Sequence, residues 1–408
     1  MKTVQKLKLI EFVDGMFFAN IVTNLFAISQ GVSLSNAVIA QSIFAGTVFL
    51  SEIPTGFIAD KFGRNVSMSL GYLLNALGLL IIIFSPTTLG LYAMNVIRAV
   101  GTAMVSGANE ALLYEASEEE GLSYKKQSSI VTSNGIAGLA LAGFIAAIAL
   151  GVYGSASFVP LILITSAFQL FITVFSLTLK DGSRQIKHKS VVKQEVKLFS
   201  SLSKTFNLMR SNKTIFALTM IGLLATCNEY FLYGTYGPHF EASGVGNFWV
   251  GAAFSIGLIV NFALQRYAYL IENYLTFEKA FALIKILSIA GYFGLALATK
   301  SPLIVILVIS TIGVFNLERP IVSDYANQEI ESSVRATVLS GMSLASRMMK
   351  MILTLFLGLI IAGGSLKLGY FAQASFMTVG LAISYWLLVR CGCVRRFKQP
   401  VLSGKIMS

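Results

Sequence analysis

Runs of roughly 20 apolar residues recur along the whole of this chain, and no other feature limits its fold as much. As a helix, each run is long enough to cross a bilayer. Of the 408 residues, 55% are hydrophobic, 30 are Phe and only 19 are Asp or Glu. A soluble domain of that composition would lack the polar groups to cover its surface. Alternating segments of ~10 residues, the mark of a membrane β-barrel, are not seen. The sequence therefore predicts an all-α, multi-pass membrane protein embedded in a lipid bilayer.

Twelve spans are predicted, at 8–28, 36–57, 66–84, 88–108, 128–150, 157–179, 214–235, 247–266, 278–298, 302–322, 336–362 and 368–389. They divide into a six-helix bundle at 1–179, a basic linker at 180–213, a second six-helix bundle at 214–389 and a basic tail at 390–408. The start, "MKTVQKLKLIEFVDGMFF", has a basic opening, but Glu11 and Asp14 interrupt its apolar run and no small-residue cleavage site follows. It reads as a tail entering the first span rather than a cleavable signal.

Charge orients the chain. An even number of spans puts both termini on one side. With that side cytosolic, its segments hold about 25 of the 31 Lys and Arg residues, nine of them in the linker. The opposite loops hold two, Lys300 and Lys367, and four more, Arg98, Lys285, Arg347 and Lys350, fall deeper inside spans, those at the cytosolic span ends being counted with the cytosolic segments. This positive-inside bias predicts cytosolic termini. It also accounts for the net charge of +12 through an anionic inner leaflet, without nucleic acid as a partner. Cys227, Cys391 and Cys393 read as unpaired, reduced thiols. No metal-ligand spacing, nucleophile–base pair or phosphate-binding loop is seen, so neither a cofactor nor an enzymatic activity is expected.

The stretch "EIPTGFIADKFGRN" (52–65) gathers Glu52, Asp60, Lys61 and Arg64 between two apolar runs, with Pro54, Gly56 and Gly63 among them. Two helices must reverse here within a few residues, and glycine permits the close packing and dihedrals this requires. The stretch resembles motif A of the major facilitator superfamily, Gly-x-Leu-Ala/Ser-Asp-Arg/Lys-x-Gly-Arg-Arg/Lys. Gly56, Ala59, Asp60, Lys61, Gly63 and Arg64 match, Ile58 is conservative, and Asn65 departs at the last basic position. The resemblance implies that the cluster latches the two halves in the outward-facing state; the alternative is that it only fixes the turn and the orientation. Glu110 and Glu115 are candidate partners for Arg64 or Lys61. In the second half "AYLIENYLTF" (268–277) keeps Glu272 in place of Asp60 but lacks the glycines and the arginine. The segment 106–127 reads as an amphipathic helix on the cytosolic face.

Ionisable groups inside a membrane are costly and usually face a cavity or one another. Asp14, Arg98, Glu229, Arg347 and Lys350 are the candidates for proton coupling or substrate binding, with Glu52 nearby. Asp14 and Glu229 fall on pseudo-equivalent spans, and Arg98 and Arg347 are candidate partners for them or for an anionic cargo group. The midplane count has more bases than acids, which favours a cargo carrying phosphate or carboxylate. Phe17, Asn20, Asn24, Asn228, Tyr230 and Tyr233 are expected to line the cavity, with Phe18, Phe231, Asn261 and Gln265 as further possibilities.

The regions "EIPTG" and "EALLYE" resemble the drug and antibiotic efflux branch of the superfamily in bacteria. That resemblance implies a monomeric antiporter in the bacterial inner membrane, exporting a small organic molecule by proton-coupled alternating access. A self-immunity exporter of the microcin C type is one version. A proton-coupled importer of a sugar, amino acid or organic anion is the alternative, because one fold serves both directions. Arg98 is a loose match to motif B, and the Gly-Pro signature of motif C is absent from "SNGIAGLALAGFIAA" (133–147).

Overall fold

The computed structural model describes residues 2–181, 229–275, 277–315 and 335–390, together with 216, 217, 219, 220, 223, 317 and 322. Asn228, Cys227, Glu318, Arg319, Cys391 and Cys393 lie outside the described residues, as do nearly all of the linker and the tail beyond Arg390. No strand occurs among the described residues.

The first predicted span is two helices, α1 (Thr3–Gly15) and α2 (Ala19–Ser29). Then come α3 (Leu34–Phe62), α4 (Arg64–Phe84), α5 (Thr88–Glu119), α6 (Tyr124–Tyr153) and α7 (Phe158–Ser176). The second half has α8 (Glu229–Ala242), α9 (Phe248–Tyr274), α10 (Phe277–Leu297), α11 (Ser301–Gly313), α12 (Arg335–Gly363) and α13 (Leu366–Arg390). Nine stretches of the described residues are long and apolar enough to cross a membrane; one of them, Tyr124–Ser176, contains both α6 and α7. Large apolar side chains such as Phe84, Leu50 and Val174 stand exposed on the outside, as lipid contact requires. The interior is closed by tyrosines and phenylalanines, among them Tyr72, Tyr236, Tyr292, Tyr370 and Phe254.

Helix ends follow local chemistry. Ser33 Oγ accepts from the Asn36 N–H (3.2 Å) to start α3, and Thr87 Oγ1 accepts from Gly90 N–H (3.1 Å) to start α5. Gly63, at φ 104, makes the reversal from α3 to α4. The expected separate helix at 106–127 is not formed. Helix α5 runs unbroken to Glu119, and the turn before α6 begins only there. The acidic run at its end holds the start of the chain in place, because Glu120 Oε1 accepts from the Val4 N–H (3.1 Å) in the first turn of α1.

The two halves meet along two antiparallel seams, α3 against α12 and α6 against α9. Serines fasten both. Ser35 Oγ donates to the Gly358 carbonyl (2.8 Å) and Ser42 Oγ to the Met351 carbonyl (2.7 Å). Ser255 Oγ donates to the Ala140 carbonyl (2.8 Å). Gly143 and Gly251 bring α6 and α9 so close that a Cβ on either would strike its partner helix. The other end of α6 packs on α1, where Gly135 and Gly138 meet Glu11, Phe12 and Gly15.

Candidate functional site

The break in the first span organises the centre of the molecule. Met16 N–H closes α1 on the Phe12 and Val13 carbonyls (3.2 and 3.1 Å), and Ala19 N–H opens α2 by donating to Thr165 Oγ1 (3.0 Å). Backbone groups freed inside a bilayer need such partners. The break turns Phe17 inward beside Arg98, whose guanidinium lies 4.7 Å from the Phe17 ring and 5.8 Å from Phe44.

Arg98 separates two cavities. The larger, about 600 Å³, runs from Phe17, Asn20, Asn75 and Arg98 past Asp14 and Glu11 to Glu110, Tyr124 and Ser128, near the face that carries the chain's start. The smaller, about 260 Å³, lies between the halves and is lined by Asn20, Asn24, Gln41, Phe44, Asn95, Glu229, Tyr230 and Tyr233. Arg98 and Asn20 are the two residues the cavities share. Asp14 Oδ1 accepts from Gln169 Nε2 (2.7 Å), and Glu11 Oε2 accepts from Asn109 Nδ2 (3.0 Å). Arg98 pairs with no carboxylate among the described residues, and its buried Nε has no acceptor there.

The remaining membrane charges pair differently from expectation. Arg347 of α12 binds Glu52 of α3 across the halves. Lys350, one turn on, lies 3.7 Å from Glu229 and 5.0 Å from the Tyr230 ring. Of the two roles open to Arg98 and Arg347, a direct ion pair with Asp14 or Glu229 is not made among the described residues, although the charges of Arg98 and Asp14 act on each other. Arg347 and Lys350 are each met by a glutamate, and Glu11, Asp14 and Glu110 stand against Arg98 alone in the larger cavity. Sequence order could not give this, because each acid reaches its base from a helix remote in the chain.

Residues 9–354 match the sequence profile of the Major Facilitator Superfamily. The chain belongs to that superfamily. Among solved structures it is similar to the nucleoside transporter NupG, with a TM-score of 0.73, 14% identity and coverage of 95% of this chain and 99% of that one. It is similar also to a D-xylose–proton symporter (TM-score 0.70, 13% identity, 95% and 97% covered). A third is a bacterial homologue of the human lysosomal transporter Spinster in an inward-facing, unoccupied conformation (TM-score 0.70, 12% identity, 98% of both chains). At such identities the likeness is one of fold. No curated protein matches the sequence.

In this member of the superfamily the 52–65 cluster is tied mainly to its own half. Arg64 Nη1 pairs with Glu115 (2.5 Å), and its backbone N–H donates to Asp181 Oδ2 (2.7 Å). Lys61 takes no acid among the described residues; it lies over Phe57 and Phe62 (5.8 and 5.2 Å). Asn65, the departure from the motif, is buried and donates to the Leu179 carbonyl (3.3 Å), a bond that needs a short amide. Gly56 and Asp60 line a third cavity, about 410 Å³, whose far wall is Ser343, Leu344 and Arg347 of α12. The Asp60 carboxylate makes no hydrogen bond or ion pair among the described residues.

Of the expected lining residues, Phe17 and Asn20 face the larger cavity, and Asn20, Asn24, Tyr230 and Tyr233 the smaller. Phe18 is buried against Phe168 (6.2 Å), and Phe231 packs edge-on to Tyr370 (5.6 Å). Asn261 does not line a path. Its Nδ2 donates to the Gly313 and Phe315 carbonyls (3.0 and 2.6 Å) where α11 ends, and Gln265 supports it (2.8 Å). Glu11 was missed as a site residue. It stands three positions before Asp14, hence on the same helical face, a spacing visible in the sequence.

Proposed function

We propose that this protein is a secondary active transporter that exports a small organic molecule by proton-coupled alternating access. The observation that carries the reading is the chamber in which Arg98 and the carboxylates of Asp14 and Glu11 face a common space at a broken helix. Groups this costly inside a membrane are retained for cargo or ions. Asp14 is the coupling group: its carboxylate holds either a proton or a cationic group of the cargo, so one displaces the other. Twelve spans in two bundles, at 1–179 and 214–389 with both termini cytosolic, complete the scheme. The larger cavity is then the loading chamber on the cytosolic side, and serine- and glycine-lined seams close the opposite side. Gly56, Asp60, Lys61, Gly63 and Arg64 act as the latch when the cavity closes. The efflux-like sequence around "EIPTG" supports the outward direction, drug or antibiotic resistance or self-immunity as its use, and a monomer in the bacterial inner membrane.

The test is flux. Inside-out vesicles holding the full chain are given an acid interior and offered a panel of antibiotics and metabolites. Proton-driven accumulation of one of them, abolished by a protonophore and by Asp14→Asn, is expected. Accumulation only in right-side-out vesicles would refute export and establish import. No accumulation in either orientation, from correctly folded protein, would refute transport.

A further inference from the structure

The larger chamber is electrically two-ended. At its inner end Arg98, which lines both cavities together with Asn20, presents a guanidinium that makes no ion pair with a carboxylate among the described residues. Toward the face bearing the chain's start come Asp14 and then Glu11 of α1, and Glu110 of α5 lines the same chamber. The donors that hold Glu11 and Asp14 are neutral amides, Asn109 and Gln169, and no cationic side chain pairs with these acids among the described residues. The protein thus keeps a cation and a set of anions in one chamber with no direct ion pair between them, although the charges of Arg98 and Asp14 act on each other. A cargo with a single charge would leave one end uncompensated in a low-dielectric space, whereas a cargo with both charges satisfies both ends. A guanidinium also selects a planar or tetrahedral oxyanion that takes two parallel hydrogen bonds.

We propose that the cargo is a zwitterion, with its carboxylate or phosphate on Arg98 and Asn20 and its ammonium group between Asp14 and Glu11. This rests on the transport reading above and replaces the purely anionic cargo suggested by counting charges in the sequence. Within α1, at a rise of about 1.5 Å per residue, Glu11 lies about 4.5 Å beyond Asp14 along the helix axis. The ammonium group thus has two acids about one turn apart, and a series of cargo lengths reports which of them it takes.

The test uses the purified full chain in nanodiscs and a series of ω-amino acids of three to eight carbons, with di- and tripeptides. Each is compared with its N-acetyl and its C-amide form by ligand-induced thermal shift and by counterflow in proteoliposomes. Binding of at least one zwitterion of the series is expected, weakened at least tenfold by capping either end. Arg98→Gln removes the discrimination against the amide and leaves that against the acetyl form; Glu11→Gln does the reverse. Arg98→Lys, which keeps the charge, retains part of the preference and guards against a folding defect. Equal binding of a capped form, or no binding by any zwitterion in the series, overturns the proposal. Counterflow of singly charged compounds alone would overturn it while transport stands. Binding of the zwitterions without counterflow would leave the site intact and remove the transport reading.

Discussion

Gly251 gives the sharpest test of how the halves move. A Cβ at this position would lie 2.5 Å from Ala147 N and 2.9 Å from Ala147 Cα, against 3.4–4 Å for ordinary contact. Those are backbone atoms, so no rotamer change relieves the clash, and α9 must draw back from α6 by about 1 Å. Inserting one carbon into a packed interface costs about 1–3 kcal/mol. In alternating access that cost falls only on states in which this seam is shut. Gly251→Ala should therefore favour seam-open states by about 5- to 150-fold. The reporter is Ser255→Cys, in the same seam and 0% exposed. Its labelling by a membrane-impermeant maleimide, applied from the side of the α6–α7 turn, should speed up by that factor in the Gly251→Ala background. Gly107→Ala is the control, since nothing lies within 4 Å of its Cβ. Unchanged labelling of a well-expressed Gly251→Ala protein, or an equal effect from the control, would refute the idea that this seam parts.

Three further outcomes are expected. Asn65→Lys restores the motif's basic residue but removes the bond to Leu179 and buries an ammonium group; it should lower stability by about 1–3 kcal/mol, read as a fall in Tm in detergent. Thr165→Val keeps the shape but strands the Ala19 N–H at the helix break, costing about 1–3 kcal/mol, again visible as a lower Tm. Glu52→Gln leaves Arg347 without its partner across the halves and should destabilise the protein more than the double change Glu52→Gln/Arg347→Gln, a difference that a thermal double-mutant cycle measures.

The membrane character and the reversal at Gly63 were legible in the sequence because both are local. Apolar runs state the need for lipid, and a turn between two charged ends needs a residue tolerant of positive φ. The Arg64–Glu115 pair was legible as one of few options among neighbouring loops. Other features had no local signal. "DGMFFAN" reads as continuous helix, and the break at Phe17 is satisfied by Thr165, far along the chain, which accepts the Ala19 N–H. Asn261 looks like a path-lining amide until the end of α11 is seen to need its donors. The sequence by itself therefore determined that this is a helical membrane protein with charges too costly to be idle. Only the tertiary structure decided which charges are spent on one another, Arg347 on Glu52 and Lys350 on Glu229, and which face an open chamber, Arg98 with Asp14 and Glu11. The physical reason is that compensation of a buried charge depends on distance in space, and in a helical bundle the nearest opposite charge sits on another helix.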